Sequence, residues 1–473
     1  MANKLSVWVK VFSEILIAII RCVIIEKKNY IYTLQKSFIN NLPIPICSTH
    51  IVIKRFHMKQ IVRFQLSFMM FLEFFIWGAW FVTLGRFLPV NLNATDAEIA
   101  NVFSTQSWGA IIAPFIVGMI ADRFFNAERM LALLHLVGAV LMYQMYRADE
   151  VSGFFIFVLV YMILYMPTLA LVNSISFRQM KNPEKEFSYI RLFGTVGWIV
   201  AGLLISFLFK WDSSEAVEQG MLKNTFLMAS IASLILGLFS FSLPKTPPVK
   251  LQDSEKTSFS SVIGLDAVKL FKDKNFLVFF ISSVLICIPL AFYYQYTNLF
   301  LGEVGMEKVT GTMTIGQISE VGFLLLLPVF FKRFGFKKTI MVGMLAWAVR
   351  YALFAYGDAG SLVFMLLVGI ALHGICYDFF FVSGQIFTDF KAGEKYKSSA
   401  QGLITLATYG VGQLIGFQVA GYVAGMYKDI KDTAGVSVFW QQVWIVPAII
   451  AAVVMILFMV FFRDEKVEKV PAA

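Results

Sequence analysis

Long apolar runs alternate with short polar segments along the chain from about residue 60 to residue 462. A helix that crosses a bilayer needs about 20 mostly apolar residues, and its backbone groups must bond within the segment. Twelve runs meet this requirement, so the pattern predicts twelve transmembrane helices. The predicted spans are 61–87, 100–121, 130–146, 153–177, 191–209, 221–243, 276–300, 310–331, 339–356, 361–386, 399–426 and 438–462.

Lys and Arg are distributed unevenly between the loops that join these spans. When the segment before the first span is placed in the cytoplasm, the cytoplasmic loops and the C-terminal tail hold 21 Lys and Arg, at least three times the number in the loops of the other side. Cytoplasmic loops of membrane proteins are enriched in these residues. The distribution therefore favours an even number of helices with both termini in the cytoplasm.

The longest loop between predicted spans, residues 244–275, contains three prolines and a charged stretch, and six spans lie on each side of it. This layout is typical of transporters built from two repeated halves. We therefore predict an all-α integral membrane fold with two pseudo-symmetric six-helix bundles, 58–243 and 276–462. The linker 244–275 and a tail at 463–473 are both placed in the cytoplasm. Residues 1–57 show no clear period, and we expect them to be an N-terminal extension outside the native core.

The loop after the second predicted span has a counterpart in the second half. It reads Gly118-Met-Ile-Ala-Asp122-Arg123, while residues 332–338 read Lys-Arg-Phe-Gly-Phe-Lys-Lys. The first is a form of the GxxxDR loop of the major facilitator superfamily, and the second keeps its basic charge. In a chain of six plus six spans, this resemblance implies that Gly118, Asp122 and Arg123 form a loop that changes conformation during transport.

Composition supports a membrane protein and narrows its function. The 473 residues are 58% hydrophobic and 15% charged, whereas soluble domains are about 45–50% apolar and about 25% charged. The net charge of +10 arises from loop residues that orient helices, so nucleic-acid binding is not expected. The four cysteines and four histidines lack the spacing of a disulfide framework or a zinc site, so neither a metal nor a cofactor is expected. No GxSxG, HExxH or Walker A motif occurs, which argues against an enzyme or an ATP-driven pump.

Ionisable side chains inside an apolar span cost free energy and are therefore candidates for function. Five stand out within the predicted spans, namely Glu73, Arg191, Glu320, Arg350 and Asp378. Glu73 is interpreted either as a proton carrier or as a neutral acid that hydrogen-bonds to another helix. Arg350, near the end of its span, is interpreted as structural. Asp378 is a candidate for proton uptake or for binding a substrate hydroxyl, with an ion pair to Arg191 or Arg350 as the alternative.

Polar and aromatic residues share helix faces with some of these groups. Arg191, Thr195 and Trp198 are spaced i, i+4 and i+7, so they lie on one face and can bind a polar ligand that contains an aromatic ring. The alternative is that Arg191 extends to the cytoplasmic interface of the membrane. His373 and Tyr377 are likewise one turn apart on the tenth span.

Two pairs of polar residues lie on consecutive spans of the second half. Gln295 and Asn298 are three residues apart on the seventh span, and Gln317 and Glu320 are three apart on the eighth, so each pair shares a helix face. Amides and a carboxylate together supply hydrogen-bond donors and acceptors, which the edge of a heterocyclic base requires. The alternative is that these groups bond helix to helix without a ligand.

Taken together, these stretches resemble the nucleoside:proton symporter family of the major facilitator superfamily, the bacterial nucleoside permeases, from about Met58 to Phe462. The motifs that carry the resemblance are Trp77-Gly-Ala-Trp80, Thr83-Leu-Gly85, Tyr165-Met-Pro167, Asn173-Ser-Ile-Ser176, Ile190-Arg191-x-x-Gly-Thr195, Gln295-x-Thr-Asn298, Gln317-Ile-Ser-Glu320, Leu353-Phe-Ala-Tyr356-Gly-Asp358, Asp378-Phe-Phe and Ser399-Ala-Gln401-Gly402. The resemblance implies a monomeric carrier in the lipid bilayer of the bacterial inner membrane, which imports purine or pyrimidine nucleosides with protons by alternating access.

The resemblance also implies a central substrate site. Its implied members are Arg191, Thr195, Trp198, Gln295, Asn298, Gln317, Glu320, His373, Tyr377 and Asp378. Relatives carry Phe at the positions of Trp198 and Tyr377 and Tyr at the position of His373. Asp378, Glu320 and Glu73 are the candidates for proton coupling, although the relatives carry an uncharged amide at the position of Glu73.

Two other functions remain open from the residues alone. A sugar or drug carrier of the same superfamily also uses buried carboxylates and aromatic side chains. A membrane sensor binds a nucleoside without moving it. Competition between uridine, adenosine and sugars for uptake distinguishes a nucleoside carrier from a sugar or drug carrier. Sustained uptake into proteoliposomes excludes a sensor that binds nucleosides without moving them.

Overall fold

The computed structural model describes residues 60–116, 125–180, 183–247, 265–428 and 439–463. Within these residues the chain is helical and contains no β-strand, which confirms the predicted all-α class. The predicted extension 1–57 and the loop residues Gly118, Asp122 and Arg123 lie outside the described residues, as do part of the predicted linker and most of the tail.

The described residues of the first half form six long helices. They are α1 (Gln60–Asn91), α2 (Asp96–Ile116), α3 (Ala127–Arg147), α4 (Val151–Gln179), α5 (Pro183–Leu203) and α6 (Asn224–Ser240). A π-helical turn, Leu204–Leu208, extends α5. The short helix Ser214–Glu218 and the 3₁₀ turn Met221–Lys223 then lead into α6.

The second half begins with a 3₁₀ segment, Leu265–Lys272. Its long helices are α7 (Lys274–Glu303), α8 and α9 (the two parts of Val309–Tyr356), α10 (Val363–Gly393), α11 (Ser399–Tyr427) and α12 (Phe439–Phe461). Gly335 separates α8 from α9 because its backbone has φ 70° and ψ −176°, a conformation that is accessible at low cost only to glycine. π-helical turns interrupt α10 at Tyr377–Val382 and α11 at Leu406–Gly412.

Ten helical segments of the described residues are long and apolar enough to cross a membrane. One of them, Val309–Tyr356, is bent into two helices at Gly335, and Asp96–Ile116 is a further helix of 21 residues. The fold is therefore consistent with the twelve predicted spans.

Several helices are longer than their apolar runs, and α7 illustrates the reason. It begins at Lys274, because the Asp273 side chain accepts a hydrogen bond from the Phe276 amide at 3.0 Å and so caps the helix. The Lys391 ammonium lies 2.7 Å from the same carboxylate. Burial opposes the ionisation of Asp273, but the hydrogen bonds from Lys391 and Phe276 hold the pKa of its carboxyl below the usual value.

Buried apolar side chains form two clusters. One consists almost entirely of residues from Leu66 to Leu243, and the other of residues from Ala267 to Phe462. The two halves of the chain meet along three helix pairs, α1 with α7, α2 with α11 and α5 with α8. Each half therefore has its own apolar core, and the contact between the halves runs along these three pairs.

A glycine lies at each of these three contacts between the halves. A Cβ atom on Gly85 of α1 would lie 1.9 Å from the carbonyl oxygen of Gln295 on α7. A Cβ on Gly421 of α11 would lie 2.7 Å from Ala100 Cβ on α2, and one on Gly202 of α5 would lie 2.7 Å from a methyl group on α8. Small residues allow helix backbones to approach closely inside a membrane, so the described halves are packed directly against each other.

Candidate functional site

A narrow cleft, open to solvent, lies between the two halves. Its walls come from α1 and α5 of the first half and from α7 and α8 of the second. The lining residues are Gly78, Val82, Trp198, Gly202, Tyr293, Tyr294, Thr310, Met313, Thr314 and Gln317. Two of the residues singled out in the sequence, Trp198 and Gln317, are therefore wall residues from opposite halves.

Arg191 lies on α5 two turns before Trp198. Its guanidinium carbon is 4.0 Å from the centre of the Phe74 ring on α1, a distance at which the cation is attracted to the ring face. Trp198 packs edge-on against Trp77 of α1, with ring centres 5.7 Å apart. Arg191, Thr195 and Trp198 are all half-buried, so the structure leaves part of each side chain accessible.

The amides of α7 differ in their surroundings. Asn298 donates from Nδ2 to the Thr310 hydroxyl at 3.2 Å, and its Oδ1 has no hydrogen-bond partner among the described residues. Gln295 is fully buried, donates from Nε2 to the Tyr296 hydroxyl at 3.2 Å, and likewise has an unpartnered Oε1 within the described part of the chain. Each residue therefore keeps a free acceptor, and Asn298 is joined to the cleft through Thr310.

The two carboxyl groups of the second half lie in different environments. Asp378, within the π-helical turn of α10, is 1% exposed, and neither of its carboxyl oxygens has a hydrogen-bond partner in the described structure. Glu320 on α8 is half-buried and interacts electrostatically with both Arg191 and Asp378. An unpaired buried charge is costly, so the neutral form of Asp378 is favoured in this conformation. The alternative ion pair of Asp378 with Arg191 or Arg350 is not formed here.

An aromatic wall adjoins the cleft in the second half. The His373 ring stacks on Tyr293 with ring centres 5.3 Å apart and faces Tyr377 at 6.1 Å. Arg350 is fully buried, lies 3.5 Å over the Tyr293 ring, and places Nη1 3.2 Å from His373 Nδ1. Arg350 thus contacts the rings of both Tyr293 and His373 and holds them in place. This agrees with its interpretation from the sequence as a structural residue.

Glu73 is separate from the cleft. It is fully buried in the first half, where its Oε2 lies 2.9 Å from His135 Nε2 and its Oε1 accepts a hydrogen bond from the Thr168 hydroxyl at 2.6 Å. Both interpretations of Glu73 from the sequence are compatible with these contacts, since a hydrogen-bonded acid in this position can also exchange a proton.

The two halves are bonded to each other at one end of the molecule, the end at which α1 and α7 finish and α8 begins, which we call the closed end. The carboxylate of Asp212 accepts a hydrogen bond from the Thr310 amide at 2.9 Å, and the Ser206 hydroxyl accepts one from the Gly311 amide at 2.6 Å. Lys308, the residue before α8, provides no side-chain cap of its own. The first free amides of α8 are therefore capped by the other half of the chain.

Further polar contacts join the halves on the α2 side. Gln106 Nε2 donates to Gln413 Oε1 at 2.7 Å, and Gln418 Nε2 donates to Ser104 Oγ at 2.9 Å. The Tyr296 hydroxyl donates to Asp96 Oδ1 at 3.1 Å. All these bonds lie between helices that meet at the interface of the halves, so separation of the halves along α2 requires several hydrogen bonds to break together.

Asp212→Ala is expected to loosen the closed end. Loss of a helix cap costs about 0.5–2 kcal/mol, so the fraction of molecules that are open at this end should rise by about two- to thirtyfold. The measurement is the rate at which an impermeant maleimide labels a cysteine introduced at the buried position Thr312. Glu215→Ala, at an exposed residue of the same connection, is the control and should not change the rate. Equal labelling of the Asp212→Ala protein and its parent would contradict the capping role.

Several residues of the site carried little signal in the sequence. Tyr294 lies one turn before Asn298 and lines the cleft, so helix periodicity could have grouped the two. His135 and Asp212 had no such signal, because their partners lie 62 and 98 residues away in the chain.

Comparison with known proteins places the chain among transporters. Residues 59–467 match the family model described as nucleoside H+ symporter. The chain is 42% identical over 404 residues to the putative nucleoside transporter YegT of Escherichia coli (strain K12), a match that covers 85% of this chain and 94% of that protein. It is 34% identical over 417 residues to the xanthosine permease of the same organism, covering 85% and 96%. The crystal structure of nucleoside transporter NupG superposes with a TM-score of 0.74 at 31% identity and covers 85% of this chain and 100% of that one.

Proposed function

The chain is a multi-pass membrane transporter of the nucleoside H+ symporter family, and we propose that it imports nucleosides together with protons by alternating access. The observation that carries this proposal is the cleft between the halves, which contains Trp198 from one half and Gln317 from the other. A solute bound there touches both halves, so its binding depends on their relative position. We further propose that the chain lies as a monomer in the bacterial inner membrane with both termini in the cytoplasm.

The substrate side of the proposal follows from the chemistry of a nucleoside, which joins a flat base to a sugar rich in hydroxyls. Trp198 and the His373–Tyr377 wall offer aromatic faces for the base, and aromatic pairs favour offset-stacked or edge-to-face contact. Gln317, Asn298 and Gln295 supply donors and acceptors for the edge of the base. Relatives named as nucleoside transporters and as a xanthosine permease support this substrate class.

The sugar hydroxyls and the proton are assigned to the charged groups. Arg191 on α5 interacts electrostatically with Glu320 of the second half, and Thr195 lies one turn further along the same helix. Asp378, Glu320 and Glu73 are the proposed proton-coupling residues. A ligand shifts a conformational equilibrium only by its differential affinity for the two states. Protonation of Asp378 removes a buried charge, so it favours the conformation in which this carboxyl is dry.

The transport cycle is proposed to alternate between closure at either end of the cleft. The bundles 58–243 and 276–462 would rock against each other, with Gly118, Asp122 and Arg123 in a loop that rearranges. In the present conformation, the Asp212 bond joins the halves at the closed end, and the Gln106 bond joins α2 to α11 near the middle of both helices. With the termini in the cytoplasm, the closed end faces the periplasm and the cleft loads or releases solute on the cytoplasmic side.

Uptake of radiolabelled xanthosine, uridine and adenosine into proteoliposomes tests the proposal. We expect sustained uptake of at least one of them. The uptake should increase when the medium outside the liposomes is acidified. For each proton transported, a gradient of one pH unit supports about tenfold accumulation at equilibrium. Protein-free liposomes are the control. Uptake of a sugar instead of any nucleoside, or binding without uptake, would contradict the proposal.

A further inference from the structure

A buried acid–base pair lies in the first half, outside the cleft. Glu73 on α1 and His135 on α3 are 0% and 2% exposed, and their side chains approach to 2.9 Å. The second carboxyl oxygen of Glu73 accepts a hydrogen bond from Thr168 on α4 at 2.6 Å. In contrast to Asp378, both oxygens of Glu73 have a polar partner, which reduces but does not remove the cost of burying this carboxyl without a proton.

Ser233 on α6 is the third polar residue of this site and contacts His135. Its Oγ lies 3.1 Å from His135 Nδ1 and 2.9 Å from the His135 carbonyl oxygen. A serine hydroxyl has one hydrogen to donate, so Ser233 donates either to the imidazole ring or to the carbonyl. This choice decides whether His135 Nδ1 must carry a hydrogen of its own.

The two orientations of the Ser233 hydroxyl correspond to two protonation states. When Ser233 donates to Nδ1, His135 is neutral with its hydrogen on Nε2, which donates to the Glu73 carboxylate, and the site has a charge of −1. When a proton binds at Nδ1, the hydroxyl turns to the carbonyl and Nδ1 donates to Ser233. The proton between Nε2 and Oε2 remains, and the site is then neutral overall. Among the side chains of the site itself, binding of one proton requires only that the hydroxyl hydrogen of Ser233 rotates.

The residues around Glu73 determine how this change of charge affects the packing of α1. From α4, Tyr165 donates to the Glu73 carbonyl oxygen at 2.8 Å and stacks on Tyr161. On α5, the positively charged Arg191 interacts electrostatically with Tyr165. Its guanidinium lies over the ring of Phe74, the residue that follows Glu73. With the imidazole neutral, the site has a net charge of −1 that no cation among the described residues contacts directly, and a buried charge of this kind is costly. The charged state therefore favours a different packing of α1 from the neutral state.

The substrate side chains rest on the same stretch of α1. Phe74 follows Glu73 directly and lies under Arg191 at 4.0 Å. Trp77, one turn after Glu73, packs against Trp198 at 5.7 Å. A shift of α1 at Glu73 is therefore transmitted by direct contact to two residues of the proposed substrate site.

We propose that Glu73 and His135 together bind one of the protons of the transport cycle, and that their protonation repositions Arg191 and Trp198 through α1. This inference rests on the proposed function as a proton-coupled nucleoside carrier. His135 is thereby assigned a role that its isolated position among the four histidines of the sequence did not suggest.

The test compares exchange with accumulation in proteoliposomes. Exchange of labelled for unlabelled nucleoside needs the cleft but no proton gradient, whereas accumulation needs coupling. Glu73→Gln keeps the shape and hydrogen bonding of the acid but binds no proton. We expect it to exchange nucleoside near the wild-type rate while accumulation falls by about tenfold per pH unit of gradient for the lost proton. His135→Gln is expected to do the same, and Glu150→Gln, at an exposed residue, should behave as the wild type.

Each outcome decides between the possibilities. Wild-type accumulation in both Glu73→Gln and His135→Gln would overturn the inference while leaving the proposed function intact. Absence of nucleoside exchange by the wild-type protein would instead reject the proposed function. If Glu73→Gln loses exchange as well, Ser233→Ala decides, because it keeps both titrating groups and removes the hydroxyl that distinguishes the two states. A shift of its pH profile of uptake by about one unit supports the inference, and an unchanged profile overturns it.

Discussion

Asp378→Asn is expected to reduce accumulation of nucleoside against a gradient by about tenfold per pH unit, while exchange across the membrane continues. The Asp378 carboxyl is 1% exposed and has no hydrogen-bond partner in the described structure, so an amide of the same shape fits the position but cannot exchange a proton. For each proton that is no longer coupled, accumulation should fall by about tenfold per pH unit of imposed gradient. The measurement is steady-state uptake into proteoliposomes with an imposed pH difference.

A matched control is available on the same helix. Asp389 of α10 is bonded to Lys397 at 3.3 Å and is not buried, so Asp389→Asn should preserve accumulation. Asp378→Glu, which keeps a titratable group, should recover part of the coupling. Accumulation by Asp378→Asn at the wild-type level would show that this carboxyl is not the coupling group, whatever its effect on affinity.

Gly85→Ala is expected to reduce the initial rate of uptake by about tenfold or more, because the closed end can no longer form as observed. The added Cβ would lie 1.9 Å from the Gln295 carbonyl oxygen and 2.9 Å from its carbonyl carbon. Both atoms belong to the backbone of α7, so no side chain can move aside. The helices α1 and α7 would have to separate by about 1 Å or more to restore van der Waals contact.

Helix propensity cannot account for such a loss. Alanine is about 1 kcal/mol more favourable than glycine within a helix, so the substitution should stabilise α1 taken alone. Gly153→Ala on α4 is the matched control, since a Cβ there meets no atom within 4 Å. It should transport at the wild-type rate or with slightly higher thermal stability. A Gly85→Ala protein that transports normally would mean that this contact opens and closes without close approach of the two backbones.

The sequence was sufficient to predict the helices but not their partners. Apolar runs located the spans, although α1 and α7 extend beyond the predicted 61–87 and 276–300. The added residues of α7 are mostly polar, whereas α1 continues to Asn91. Spacing placed Arg191, Thr195 and Trp198 on one helix, and Trp198 does line the cleft. Helix periodicity reports which face a residue occupies, so the order of residues along the chain is enough to predict these features.

Contacts between distant helices could not be predicted in the same way. Glu73 stood out as an acid in an apolar span, but the spacing of residues within α1 contains no information about which helix packs against that face. The contact with His135 depends on how α3 is placed, and the contact of Asp212 with Thr310 depends on how the two halves dock. The π-helical turn around Asp378 is likewise a result of packing and has no local sequence signal.

The cap that one half provides for α8 also determines what must fill the space when that end opens. Once Asp212 and Ser206 withdraw, two amides at the start of α8 lose their partners, and the Asp212 carboxylate keeps the Ser206 hydroxyl but loses the Thr310 amide. Each of these groups is costly to leave bare, and only water is small and polar enough to satisfy all of them. The opening of the carrier on this side is therefore a wetting event, and its rate should depend on the activity of water as well as on the solute and the proton.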